Sequence, residues 1–340
     1  MPSGQSIPYH LRQNKAVDRY AFLDLLSKVD KFSDIENYTY IGFGGHSLED
    51  FKYVHAQFGI KNMISIEQDE MVHSRQLFNK PHSCIDCQLI SSGDFITRFP
   101  QGKGFSSIEE SIVWLDYVSP SDLKAQVVEF RTMLSKLQVL DILKITLNAE
   151  PASYLSVSDM PEAVKGNVGA QNDERMSVIK EMLSELFPTV TINRDMMTYK
   201  RFPTALCKVL EMAAELAMES RSELCFKPLT TFSYADGQQM LTVTGILLEK
   251  DQVTAFLDKT GIGQWTLHNS TWENPRRIDI PNFTVRERLR LDALLPEAEA
   301  EDIEKELGFK FDSKDAYSLR MLRNYALFYR QSPYFSKVFI

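Results

Sequence analysis

The stretch "YTYIGFGGHSLEDF", Tyr38–Phe51, decides the fold. An apolar run meets three glycines within four positions, Gly42, Gly44 and Gly45, and then resumes with helical spacing. Glycine has no Cβ, reaches positive φ, and lets another molecule lie against the main chain. A strand that ends this way is either turning tightly or making room for a ligand. The segments around it bear on which.

Upstream, apolar residues from Tyr20 to Val29 recur mostly at helical intervals. Downstream, strand and helix signals alternate. "SLEDFKYVHAQF" reads as a helix with Ser47 as its N-cap, "NMISIE" as a strand ending at Glu67, and "DEMVHSRQLFN" as a helix. "CQLISS" and "SIVWLDYV" are further strands, the second nearly continuously apolar, as buried parallel strands are. "PSDLKAQVVEFRTMLSKL" is a helix and "QVLDILKITLN" a fifth strand. This rhythm predicts an α/β fold with a doubly wound, mostly parallel sheet over residues 35–150. A helical arm over 1–34 precedes it and an inserted cap over 151–200 follows. Residues 201–258 supply a helix and two β-rich runs around Ala235-Asp236-Gly237, an antiparallel hairpin that completes the sheet. Residues 259–340 form a helical C-terminal region.

Composition narrows the function classes. The 340 residues are 44% hydrophobic and 25% charged, as in ordinary globular proteins. A net charge of −8 argues against broad, non-specific nucleic-acid binding and leaves local basic patches open. No apolar run is long enough for a signal peptide or a membrane span, and four cysteines make no disulfide framework. The expectation is a reduced, cytoplasmic protein with no membrane partner; homo-oligomerisation stays open.

A parallel sheet binds ligands outside the carboxyl ends of its strands. The turn of Gly42, Phe43, Gly44 and Gly45 follows the first strand, and Glu67, with Gln68 after it, ends the second. A carboxylate at that place can accept from both hydroxyls of an adenosyl ribose. A dinucleotide fingerprint needs a third glycine so that pyrophosphate can rest on the helix N-terminus, and none follows Gly45 at that spacing. In "SSGDF", Asp94, followed by Phe95, stands after the third strand, where it could accept from an adenine amino group. In "VWLDYVSP", Asp116 and Tyr117 stand at the mouth of the fourth strand.

In these motifs the sequence resembles the class I S-adenosylmethionine-dependent methyltransferases, and most nearly a bacterial O-methyltransferase group. "YIGFGG" resembles motif I, "ISIEQDE" the ribose acid, "GDF" the adenine motif and "WLDY" motif IV; "TFSYADGQQMLTVTGILL" resembles the closing antiparallel strands. The resemblance implies a Rossmann-like sheet, S-adenosylmethionine as cofactor, and methyl transfer to an oxygen or nitrogen of a small or macromolecular acceptor. It implies cofactor contacts from Gly42, Phe43, Gly44, Gly45, Glu67, Gln68, Asp94, Phe95 and Asp116, with Asp116 and Tyr117 orienting the acceptor. His46, beside the glycines, is a candidate base. One departure stands out: motif I carries an acid two residues before its first glycine, and here Tyr40 occupies it. A non-catalytic adenosyl-binding or partner-binding protein of the same fold is therefore the alternative reading.

Three further constellations have ordinary structural readings. His82, Cys84 and Cys87 lack the second ligand pair of a structural zinc site, so no metal is expected. The leading Tyr9, His10, Arg12, Asn14, Lys15 and Arg19 are either a solvated arm or, as the resemblance suggests, a segment folded over the cofactor. In the arginine- and aromatic-rich tail, Leu319, Leu322, Ala326 and Tyr329 share one helical face, which points to packing rather than single-strand binding.

Overall fold

A computed structural model describes residues 12–100 and 110–333. The alternation read from the sequence is realised. After helix α1 (Gln13–Val29) the order is β1 (Thr39–Gly42), α2 (Glu49–Phe58), β2 (Asn62–Glu67), α3 (Glu70–Asn79), β3 (Ile85–Leu89) and α4 (Ser92–Arg98). Then come β4 (Ser111–Asp116), α5 (Leu123–Lys136), β5 (Ile142–Asn148), α6 (Pro151–Tyr154), α7 (Val168–Leu183) and α8 (Phe202–Met218). The hairpin β6 (Leu224–Asp236) and β7 (Gln238–Glu249) follows, then α9 (Val253–Thr260), β8 (Arg276–Ile278), α10 (Val285–Leu294), α11 (Ala300–Leu307) and α12 (Asp315–Phe328). The strands form one sheet in the order β3-β2-β1-β4-β5-β7-β6-β8. β1 is parallel to both β2 and β4, while β7 runs antiparallel to β5. This is the class I methyltransferase-like arrangement. Its order reverses at β1, so the carboxyl ends of β1 and β4 flank a crevice.

The chain separates into two compact units. The larger, Leu23–Ser233 with Gln239–Pro275, holds the parallel strands and their helices. Its core places Ile41, Val113, Leu115 and Ile145 of the sheet against Val127, Phe130 and Leu134 of α5 and Leu206 and Leu210 of α8. Ile179 and Leu183 of α7 join the same cluster. The other unit gathers residues 12–22, 234–238 and 276–333. Within it Asn14 and Lys15 are buried, not solvated; Asn14 Nδ2 donates to the Ala235 carbonyl and the Lys15 amide to Asp236 at 2.8 Å. Tyr9 and His10 lie outside the described residues.

Two local expectations need correction. Ser47 does not cap α2; Leu48 does, at φ 53° and without a side-chain bond. Its amide donates to the Gly44 carbonyl at 2.8 Å, so the turn stays closed one residue longer. A left-handed residue costs about 1–2 kcal/mol, which is offset by complete burial of the leucine side chain, roughly 1.5–3 kcal/mol. In α12 the buried residues are Ser318, Leu322, Tyr325 and Phe328, a stripe rotated from the predicted one. Tyr325 sets it: Phe283 packs edge-on at 4.9 Å, and Arg288 Nε donates to the hydroxyl at 3.0 Å.

Candidate active site

The glycine turn is explained first by the chain's own packing. A Cβ on Gly44 would lie 2.2 Å from Leu48 Cδ2 and 2.6 Å from Ser65 Oγ. The Gly44 amide donates to that same Ser65 hydroxyl at 3.2 Å, and Ser65 donates on to Gln76 of α3 at 3.3 Å. Gly45 sits at φ 50° with open space where its Cβ would be. Gly42 pairs in register with Trp114, whose carbonyl would be 3.4 Å from an added Cβ. Tyr40, the motif I departure, is buried in edge-on contact with Phe51 at 4.9 Å. Gly44→Ala is expected to destabilise the protein by about 1–3 kcal/mol through overpacking. Urea denaturation checks this; an unchanged midpoint would contradict the packing account.

Beyond the turn, a cavity of about 420 Å³ opens at the strand ends within the larger unit. Its volume is that of a small-molecule pocket, roughly 300–1,000 Å³. Phe43, Ile66, Ile90, Val118 and Ala125 supply apolar wall. Glu67 and Gln68 enter at the end of β2, Asp116 and Tyr117 at the end of β4, Ser92 from α4, and Asp122, Gln126 and Glu129 from the helical segment after β4. Among the described residues, four lining side chains are carboxylates and none is Lys, Arg or His.

Local bonds fix several of these groups. Glu67 Oε1 accepts from the Asp69 amide at 2.9 Å, and Asp69 in turn caps α3. Gln126 Nε2 donates to the Ser119 carbonyl at 2.7 Å and holds the loop after β4. The Tyr117 hydroxyl donates to Glu129 Oε2, and its ring meets Phe43 edge-on at 5.4 Å. Burial, with the Glu129 charge beside it, pushes the Tyr117 phenol well above its ordinary range. It stays protonated and acts as a donor.

Of the residues singled out from sequence, Phe43, Glu67, Gln68, Asp116 and Tyr117 are brought to one cavity. Gly42, Gly44, Gly45, His46, Asp94 and Phe95 are not among its lining residues. His46 is exposed; partial desolvation and then Arg75 lower its imidazole below the usual value. Asp94 is exposed and takes a bond from the Ser91 hydroxyl at 2.8 Å, while Phe95 is fully buried. The sequence reading missed Ser92, Asp122, Gln126 and Glu129. A signal was present: Asp122, Gln126 and Glu129 recur at four- and three-residue spacing right after the fourth strand's mouth, a polar stripe on one helix side.

Elsewhere, the His55 and His82 rings stack at 4.3 Å and Cys84 Sγ lies 3.7 Å from His55 Nδ1. Among the described residues no three His, Cys, Asp or Glu side chains converge as a metal site. No helix among them is long and apolar enough to cross a membrane.

A family model described as "Putative O-methyltransferase" matches residues 7–340. The chain belongs to this family. Membership makes it a methyltransferase, and implies S-adenosylmethionine as donor and a methyl acceptor. No curated protein sequence matches the methyltransferase significantly. Similar solved structures include the N-methyltransferase NodS from Bradyrhizobium japonicum WM9, at 10% identity and TM-score 0.35, over 68% of this chain and 97% of that one. TYW2 of M. jannaschii in complex with AdoMet aligns at 11% identity and TM-score 0.37, over 72% of this chain and 80% of that one. TYW2 of P. horikoshii in complex with MeSAdo gives 11% and 0.36, over 72% and 66%.

Proposed function

We propose that the methyltransferase binds S-adenosylmethionine in the cavity at the carboxyl ends of β1, β2 and β4, and transfers its methyl group to an oxygen or nitrogen acceptor. The observation that carries this reading is the convergence of Glu67, Asp116 and Tyr117 on one pocket whose described lining holds four carboxylates and no basic side chain. That lining suits a ligand bearing a sulfonium and an ammonium, since a cleft of one sign concentrates the opposite charge. The apolar wall suits the faces of a purine.

When bound, S-adenosylmethionine would supply an electrophilic methyl group for in-line attack by an acceptor lone pair, the S–CH3 bond breaking as S-adenosylhomocysteine leaves. The chain's part is to position and to manage a proton. Glu67 accepts from the ribose hydroxyls, with its second-strand place fixed by the Asp69 amide. Gln68 lines the same end of the pocket. Asp116, half-buried at the end of β4, orients the acceptor and takes its proton. Tyr117, held by Glu129, excludes water and keeps the wall in place. His46, Asp94 and Phe95 take no part in this reading, because they are not in the lining.

The test is transfer of label from methyl-labelled S-adenosylmethionine into fractionated cell extract. A labelled product that appears with the protein and disappears on heat inactivation is expected. Absence of product from every fraction, despite tight S-adenosylhomocysteine binding, would contradict transfer and leave binding alone.

A further inference from the structure

The residues that resemble the adenine motif do not line the cavity in this chain. Asp94, which the motif offers to the adenine amino group, is turned to its own helix start: its amide and its carboxylate both bond Ser91, at 3.1 and 2.8 Å. Phe95 beside it is fully buried, 6.2 Å from Phe99. These residues hold α4 in place. The carboxylate that does line the cavity beside α4 comes from a different element, Glu129 of α5.

The arrangement around Glu129 is specific. Tyr117 takes its Oε2. Its Oε1 lies against Gly93, where an added Cβ would stand 3.2 Å away, so the missing side chain at 93 leaves the carboxylate its room. Ile66, Ile90 and Ala125 form apolar wall in the same pocket. An apolar slot with an acceptor at one side is what a purine with an exocyclic amino group requires.

We infer that Glu129, fixed by the Tyr117 hydroxyl, reads the adenine amino group of the cofactor in place of Asp94. Glu129 touches the cofactor; Tyr117 acts through it and is a positioning residue. The inference rests on the cofactor reading above and deepens it. A carboxylate accepts from the 6-amino group and repels a 6-oxo group, so the site should distinguish adenine from hypoxanthine. A site built to satisfy a polar group rejects the analogue that leaves it unpaired or opposed.

The experiment is calorimetric titration with S-adenosylhomocysteine and S-inosylhomocysteine, run on the wild type, Glu129→Gln, Tyr117→Phe and Asp94→Asn. The wild type is expected to prefer the adenosyl compound by about tenfold or more, the scale of one charge-assisted bond. Glu129→Gln, whose carboxamide can turn its amino group to the oxo group, should lose most of that preference. Tyr117→Phe should lose part of it, and Asp94→Asn none. Thermal melts confirm that each variant is folded, and a preference ratio is insensitive to a general loss of affinity. An undiminished preference in Glu129→Gln, or its loss in Asp94→Asn, would overturn the assignment while leaving the cofactor reading intact. Failure of the wild type to bind either compound would overturn both.

Discussion

Asp116→Ala is expected to lower methyl transfer about a hundredfold, the scale of losing one positioned acid–base group, while S-adenosylhomocysteine affinity stays within a few-fold. The split follows from where the side chain stands. β4 ends at Asp116, next to β1 on one side and β5 on the other. The crevice of a doubly wound sheet opens where the strand order reverses, beside β1 and β4, and the proposed reading puts the methyl group there. A group that meets the acceptor contributes to the transition state more than to binding of the demethylated product. Single-turnover transfer from labelled S-adenosylmethionine into extract, beside calorimetry with S-adenosylhomocysteine, separates the two quantities. Turnover unchanged in Asp116→Ala would move the reactive centre to another carboxylate of the lining. A parallel fall in affinity and turnover would make Asp116 a cofactor-binding residue instead.

Glu67→Ala should behave in the opposite way. The carboxylate ends β2, lines the cavity, and is oriented by the Asp69 amide. Removing a charge-assisted bond to the ribose hydroxyls costs roughly 1.5–3 kcal/mol, about ten- to a hundredfold in affinity. At saturating cofactor the transfer rate should recover. Glu67→Gln, which keeps one acceptor oxygen and loses the charge, should fall between the wild type and the alanine variant. Equal affinity in wild type and Glu67→Ala would remove this residue from the site.

Much of the fold was legible because the strands that carry it are buried on both faces. "NMISIE" and "SIVWLDYV" are too short and too apolar for an exposed helix; β2 spans the first stretch whole, and β4 starts with the second and ends at Asp116, two residues before it does. The Asp236-Gly237 turn likewise fixed the hairpin, with Gly237 at φ 104°. The short β8 was missed, since "RRI" has no hydrophobic pattern of its own and pairs only at the sheet edge. Ser47 was mistaken for a cap because side-chain chemistry at a helix start is visible in sequence, whereas the burial that stabilises Leu48 in the left-handed region is tertiary.

The lining of the candidate site was legible where motif and strand end coincide. Glu67, Asp116 and Tyr117 needed only the rule that strands deliver their last residues to the crevice. Asp94 and Glu129 show where that rule stops. Both carboxylates lie near the start of α4, and only the packing of α5 against α4 decides which one enters the cavity. The glycines carried a mixed signal for a similar reason. Gly44 is required by Leu48 and Ser65 before any ligand is considered, and its amide already has the Ser65 hydroxyl.

The central claim is that the pocket formed by Phe43, Glu67, Asp116, Tyr117 and Glu129 is a site for S-adenosylmethionine. Calorimetric titration of the wild-type protein with S-adenosylhomocysteine and, separately, with NAD tests it most directly. Saturable binding of one S-adenosylhomocysteine per chain, weakened in Glu67→Ala, with no comparable heat from NAD, is the predicted result. No binding of S-adenosylhomocysteine, or tighter binding of NAD, would contradict it.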